Sequence, residues 1–369
     1  MRFTTIREKL LEPLLHVYDV IENRQTLPIL SNVLLVARNN VLSMTGTDME
    51  IELITNIELM DSESGEVTVS ARKFSDICRA LPTGAKIDFT RKGGKAIIQS
   101  GNSRFVLLTL PVADYPNTDI LTERIKITKK QRNIKELIEL TQFAMANQDV
   151  RYWLNGLLLE ISEKNMRAVA TDGHRLAFAE LDVESGIDGD IFQIIVPRKG
   201  VGELARMLGN GEENIELSIG INALRAEFLN TKFTTKLIDG RYPDYSVVLP
   251  KLSQCNREVL VGKELLRQTL FRCAILCSEG YRSVKMMFDK NLLQISARNM
   301  EREEADAEVS INYRGEPLEI RFNVTYLLEA LKSIPTEEVH MYFKDVGGSC
   351  LIKPVGREDC QYVVMPMRL

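Results

Sequence analysis

Apolar and polar positions alternate along this chain with two periods. In Ile134, Leu137, Ile138, Thr141 and Met145 the spacing of three and four predicts an amphipathic helix over Lys129–Asn147. Similar stripes predict helices over Ile6–Glu22 and Gly262–Cys277. Between them the period drops to two, as in Val67-Thr-Val-Ser and Lys232-Phe-Thr-Thr-Lys-Leu-Ile, which reads as strand. Ile87-Asp-Phe-Thr and Ala96-Ile-Ile-Gln, joined through Arg91-Lys-Gly-Gly, read as a hairpin. Two helices against antiparallel sheet make an α+β unit.

That unit recurs. Val69-Ser-Ala-Arg-Lys-Phe-Ser-Asp-Ile-Cys-Arg-Ala-Leu81 has a near twin in Val196-Pro-Arg-Lys-Gly-Val-Gly-Glu-Leu-Ala-Arg-Met-Leu208, and each opens a second, short helix. A weaker third copy is Phe322-Asn-Val-Thr-Tyr-Leu-Leu-Glu-Ala-Leu331. Leu42-Ser-Met-Thr-Gly-Thr-Asp48 echoes Arg167-Ala-Val-Ala-Thr-Asp172, and Leu293-Gln-Ile-Ser-Ala-Arg298 resembles both. Asp114-Tyr-Pro116 pairs with Arg241-Tyr-Pro243. One period of about 125 residues fits all three markers. We therefore expect three tandem domains, 1–125, 126–253 and 254–369, in an α+β fold.

Composition narrows the class. With 369 residues, 44% hydrophobic and 27% charged, the chain is neither disordered nor fibrous. No apolar run approaches the roughly 18 residues of a spanning helix, the longest, such as Ile191–Val196, being strand-sized. The first residues lack the apolar stretch of a signal peptide, so a cytoplasmic location is expected. A net charge of −4 argues against a nucleic-acid partner until its distribution is considered. Asp48–Glu66 holds seven acidic residues and no basic one, while Lys126–Lys135 holds five basic residues and no acidic one. Segregated charge lets an acidic protein present a basic face.

Little catalytic chemistry is visible. The six cysteines form no CxxC pair, and Cys273 and Cys277, a helical turn apart, lack further ligands nearby. Buried thiols are expected, with no metal and no cofactor. Gly93-Gly94-Lys95 and Gly262-Lys263 do not complete a phosphate loop. Thr171-Asp172-Gly173-His174-Arg175 offers an acid–base pair but no nucleophile, so a binding loop is the better reading. Glu301, Glu303, Glu304, Asp306 and Glu308 mostly alternate, as on the exposed face of an edge strand. The chain ends on Tyr362-Val-Val-Met-Pro-Met-Arg-Leu369. Tyr362–Val364 reads as a core strand, and Met365, Met367 and Leu369 as an adaptable apolar lip for peptides.

These motifs, with Leu-Pro-Ile-Leu at 27–30, Thr45-Gly-Thr-Asp48, Gln148-Asp-Val-Arg-Tyr152 and Ala170-Thr-Asp-Gly-His-Arg-Leu176, resemble the bacterial DNA polymerase III beta subunits, the sliding clamps. The likeness spans essentially the whole chain. It implies a non-catalytic processivity factor, a head-to-tail homodimeric ring of six domains with helices lining the hole. It also implies encircled duplex DNA without sequence preference. Further partners would be the replicative polymerase alpha subunit, the clamp loader, and other polymerases and repair proteins bound through a short peptide motif, with no membrane. By motif, Arg24, Gln148, Arg151, Tyr152, Trp153, Arg198 and Lys199 would touch DNA. The partner pocket would be Leu154, Thr171, Gly173, His174, Arg175, Leu176, Pro243, Val247, Val248, Ser349, Val363, Met365, Pro366 and Met367. The dimer seam would join Lys73, Ile77, Arg104, Phe105 and Leu107 to Ile275, Leu276, Glu301, Glu303 and Glu304 of the other chain. Trp153 stands where the family pattern suggests tyrosine, and Ser246-Val247 where it suggests a more basic pair. Two other classes compete with this reading: an enzyme built on Asp172 and His174, and a monomeric peptide-binding adaptor.

Overall fold

The computed structural model describes the chain apart from residues 22–26, 117–120, 188, 190, 279, 281, 314, 346, 368 and 369. Its α-helices among the described residues are α1 (Arg7–Val20), α2 (Ala71–Ala80), α3 (Gln131–Glu139), α4 (Arg198–Met207), α5 (Lys263–Ala274) and α6 (Val324–Ser333). All strand pairs are antiparallel, in agreement with the α+β expectation. The N-terminal caps of α2 and α6 are local: Ser70 accepts from the Lys73 amide and Asn323 from the Thr325 amide.

The chain forms two compact units, Met1–Arg132 with Arg206–Leu237, and Asn133–Ala205 with Ile238–Leu369. Each unit draws on two of the expected repeats, because sheets run across the repeat joins. In the first unit one sheet has thirteen strands, and the joining pair is Thr231–Lys236 against Ile51–Glu58, with Thr234 opposite Glu52. In the second, a nine-stranded sheet is joined where Cys360–Val364 pairs with Arg175–Asp182, placing Val363 opposite Leu176. A separate four-stranded sheet in the second unit ends on Glu304–Ser310, an edge strand that carries Glu304, Asp306 and Glu308 on its exposed side.

Two expectations need correction. α3 stops at Glu139 rather than Asn147. The Thr141 hydroxyl donates back to the carbonyls of Leu137 (2.9 Å) and Ile138 (3.3 Å), and the chain turns into a 3-10 segment at Gln142–Ala144. Lys129 and Lys130 lie on the strand Ile125–Lys130, so only Arg132 and Lys135 of the basic run are helical. Lys126 is paired with Glu216 at 2.7 Å and Arg132 with Glu212. α5 likewise ends at Ala274, leaving Ile275 and Leu276 on a turn. Apolar burial is extensive in both units, and each fully buried Leu or Val contributes about 1.5–3 kcal/mol. All six cysteines are unpaired, and Cys78, Cys273, Cys350 and Cys360 are buried.

Candidate partner-binding site and nucleic-acid face

The second unit builds its site on the hairpin from Asn165–Thr171 to Arg175–Asp182. The connecting loop is fixed by its own side chains. Thr171 Oγ1 donates to the Arg175 carbonyl (2.6 Å) and accepts from the Gly173 amide (3.1 Å). Asp172 Oδ1 accepts from the amides of His174 (2.9 Å) and Arg175 (3.0 Å). Gly173 sits at φ +88°, where an L side chain is strained, and a Cβ there would meet the Arg151 guanidinium at 3.0 Å. Tyr242 closes the loop from above, its hydroxyl accepting from the Thr171 amide at 3.0 Å. Burial pushes that phenol well above its usual range, so it stays neutral.

Beneath the loop lies an apolar cluster of Ala146, Leu154, Leu158, Val169, Leu176, Ile195, Tyr242, Leu351 and Val363. Trp153, Phe178, Tyr245, Val248 and Leu249 pack against it. Leu154, Leu176, Val248 and Val363, expected in the pocket, are thus brought together, whereas Val247 is 80% exposed beside them in sequence. Ser349 is half-buried next to Cys350, and Pro243 is exposed. The Met365 amide donates to the His174 carbonyl and the Met367 amide to the Arg321 carbonyl, both at 2.8 Å. The half-buried tail Met365–Met367 is therefore stitched to the loop on one side and to the strand Leu318–Asn323 on the other. Leu369 lies outside the described residues.

Arg175 and His174 differ sharply. His174 is exposed and stacks on Tyr326 of α6, ring centroids 6.0 Å apart. Arg175 is turned inward: Nε donates to Asp172 Oδ2 (3.0 Å), Nη2 to the Phe143 carbonyl (2.8 Å), and Nη1 to Glu329. Sequence reading missed Phe143, Tyr326 and Glu329; their partners are far away in the chain, and no local pattern marks them.

Of the expected DNA-touching residues, Gln148, Arg151, Tyr152 and Trp153 form one segment beside the loop. Arg24 lies outside the described residues. Gln148 is exposed in a left-handed turn at φ +57°. Arg151 forks onto Asp149 at 2.8 and 3.0 Å, and these bonds hold the Asp149 carboxyl down at about 2. Tyr152 is half exposed, its hydroxyl donating to the Asp239 carbonyl, and meets Trp153 edge-on at 5.1 Å. Trp153 itself packs on the apolar cluster. Arg198 Nη1 donates to the Met145 carbonyl at 2.7 Å, tying the start of α4 to the chain just before this segment, and Lys199 follows it half-buried.

Of the expected seam residues, Arg104, Phe105, Leu107 and Glu304 fall on two strands with partly unpaired edges, and the rest lie on α2 or on turns and loops. Arg104, Phe105 and Leu107 lie on Ser103–Leu110, whose far edge pairs, among the described residues, only through Thr109 and Leu110. Leu107 is largely buried inside its own chain, and Val106 and Leu108 on the opposite face are exposed. Lys73 is exposed and Ile77 half-buried on α2. Ile275 is 69% exposed, Leu276 half-buried, and Glu301, Glu303 and Glu304 lead into the acidic edge strand. Among the described residues no group of three or more His, Cys, Asp or Glu side chains is placed to hold a metal, and no helix is long and apolar enough to cross a membrane.

Residues 1–119, 128–244 and 247–368 match the N-terminal, central and C-terminal domains of the DNA polymerase III beta subunit. Beta sliding clamps of Pseudomonas putida and Escherichia coli K12 are 46% and 45% identical over 370 residues, with full coverage of each chain. The crystal structure of the DNA polymerase III subunit beta from Pseudomonas aeruginosa superposes over both full chains with a TM-score of 0.96 at 45% identity. A sliding clamp from Bartonella birtlesii bound to griselimycin does so at 0.96 and 31%. With three consecutive domains matched and relatives aligned end to end, this chain belongs to the DNA polymerase III beta subunit family, the bacterial beta sliding clamps.

Proposed function

We propose that the chain is a replicative sliding clamp, a non-catalytic processivity factor whose two copies close head-to-tail into a ring around duplex DNA. The observation that carries this reading is the end-to-end match, at 45–47% identity, with proteins named beta sliding clamp. In it the repeats 1–125, 126–253 and 254–369 are three domains with two helices each, and the dimer has six. The seam reading draws on charge and shape. One largely unpaired edge carries Arg104, the other carries Glu304, Asp306 and Glu308, and Ile275 supplies an exposed apolar centre. Arg24, Gln148, Arg151, Tyr152, Trp153, Arg198 and Lys199 face DNA; contacts to phosphate and sugar without base readout allow sliding.

The apolar cluster under the His174 loop, rimmed by Met365 and Met367, is read as the pocket for a short partner peptide. Two relatives were solved with griselimycin bound, which supports a ligand-accepting surface in the family. Polymerase, clamp loader and repair partners would compete for it, as expected of one pocket per chain. The decisive experiment compares retention on nicked circular and linear DNA after loading. A clamp stays on the circle and runs off free ends, and equal retention on both would overturn the topological mechanism. Alanine at Arg24 and Gln148 should weaken loading and lower the salt slope by about one per lost phosphate contact.

A further inference from the structure

The first unit contains a second copy of the loop that frames the partner pocket. Thr47 Oγ1 donates to the Ile51 carbonyl (2.7 Å) and accepts from the Met49 amide (3.0 Å). Asp48 Oδ1 accepts from the amides of Glu50 (2.9 Å) and Ile51 (2.7 Å). Met49 sits at φ +80°, where the pocket loop has Gly173 at +88°. The Lys236 amide donates to the Glu50 carbonyl at 2.8 Å, as Met365 does to His174. Tyr115 covers the loop as Tyr242 does, with its hydroxyl on the Thr45 carbonyl at 2.9 Å. The Thr and Asp side-chain bonds and the tail backbone bond of the working loop thus have counterparts 124 to 129 positions away (47 to 171, 236 to 365), whereas Tyr115 donates to Thr45 where Tyr242 accepts from Thr171, and Ile51 stands in place of Arg175.

The backbone repeats but the floor does not. Strand register sets Glu52 where the pocket has Leu176, since Glu52 stands opposite Thr47 and Thr234, and Leu176 opposite Thr171 and Val363. Thr234 therefore replaces Val363, and Arg225, opposite Thr234, replaces Leu351, opposite Val363. Leu154, Leu158 and Tyr242 correspond to Leu30, Leu34 and Tyr115, which form a small apolar cluster of their own with Ile29. Three floor positions that are apolar in one copy are thus carboxylate, hydroxyl and guanidinium in the other. Glu52 is only 7% exposed. An apolar anchor seated there would strip remaining water from this carboxylate and from Arg225 without replacing any polar contact.

We infer that Glu52, with Thr234 and Arg225, is the specificity determinant that bars apolar partner peptides from the first repeat junction, leaving one peptide site per chain. This rests on the pocket reading above and adds what limits its number. Burial raises the Glu52 carboxyl, with the Arg225 and Lys232 charges opposing, which agrees with a site poor in water.

The test is a calorimetric titration with a short Gln- and Leu/Phe-containing peptide. The unaltered chain should take one peptide, and its Leu176→Asp variant none. The variant Glu52→Leu/Thr234→Val/Arg225→Leu, which copies the working floor, should take two, the second abolished by restoring Glu52 alone. A folded triple variant that still takes one peptide would overturn the inference while leaving the pocket standing. Two peptides on the unaltered chain would do the same, and that measurement needs no variant to fold. No binding to the unaltered chain would overturn the pocket reading, and this inference with it.

Discussion

The guanidinium of Arg175 lies over the ring of Tyr326, 4.7 Å from its centroid, and 5.3 Å from that of Phe143. With its donors taken by Asp172, Glu329 and the Phe143 carbonyl, and its side chain only 10% exposed, Arg175 is a strut tying the loop to α6. Arg175→Ala removes the charged partner of Asp172 and Glu329 and the bond to the Phe143 carbonyl, and should cost about 3 kcal/mol of stability. Arg175→Lys keeps the charge but not the planar fork, and should recover under half of that. Peptide affinity should fall in both through loop disorder. A melting temperature unchanged in Arg175→Ala would refute the strut.

Much of this was legible in the sequence, and the reasons differ by element. The markers shared by the first two expected repeats are each tied to a local need: Asp172 and Asp48 cap their loops, and Tyr242 and Tyr115 cover them. Core strands such as Phe192–Pro197 and Cys360–Val364 announce themselves by apolar content. Helix ends were misread because the stripe through Thr141 and Met145 keeps its spacing after the helix has stopped, Thr141 being spent on its own backbone. The sheet joins and the long-range part of the Arg175 network were invisible, since partners such as Phe143, 32 residues from Arg175, and Glu329, 154 residues from it, leave no periodic trace.

Buried core residues run to Val364, and the tail beyond it is half-buried and held by two backbone bonds. Removing residues 365–369 should therefore spare folding but take away the Met365 and Met367 walls. Apolar anchors carry about 2 kcal/mol or more each, so affinity for a partner peptide should drop by over about a hundredfold. Fluorescence titration alongside calorimetry separates the outcomes. Unchanged affinity would remove the tail from the site, and a sharp thermal loss would make it part of the core.

Leu276 follows the exposed Ile275 on the turn after α5, in the segment proposed for the seam. Leu276→Asp would place an unpaired carboxylate in that contact, at several kcal/mol by desolvation. Closure of a two-chain ring uses the contact twice. Light scattering should show monomers at micromolar concentration with unaltered circular dichroism. A stable dimer would displace Leu276 from the interface.

Glu52 gives the pH dependence its sign. Burial raises its folded pKa above the unfolded value of about 4.3, against the smaller opposing pull of Arg225 and Lys232. The folded state therefore binds the proton more readily, and stability falls as pH rises from the unfolded toward the folded pKa, remaining lower above it. Glu52→Gln keeps the shape and removes the ionisation. Melting temperatures followed from pH 3.5 to 8 should show the variant ahead by a few degrees at neutral pH. The two proteins should converge as pH falls below about 4, where the carboxyl is protonated in both states. Were the ion pairing with Arg225 dominant instead, the variant would be less stable at neutral pH, and the difference would shrink with acid from the opposite side.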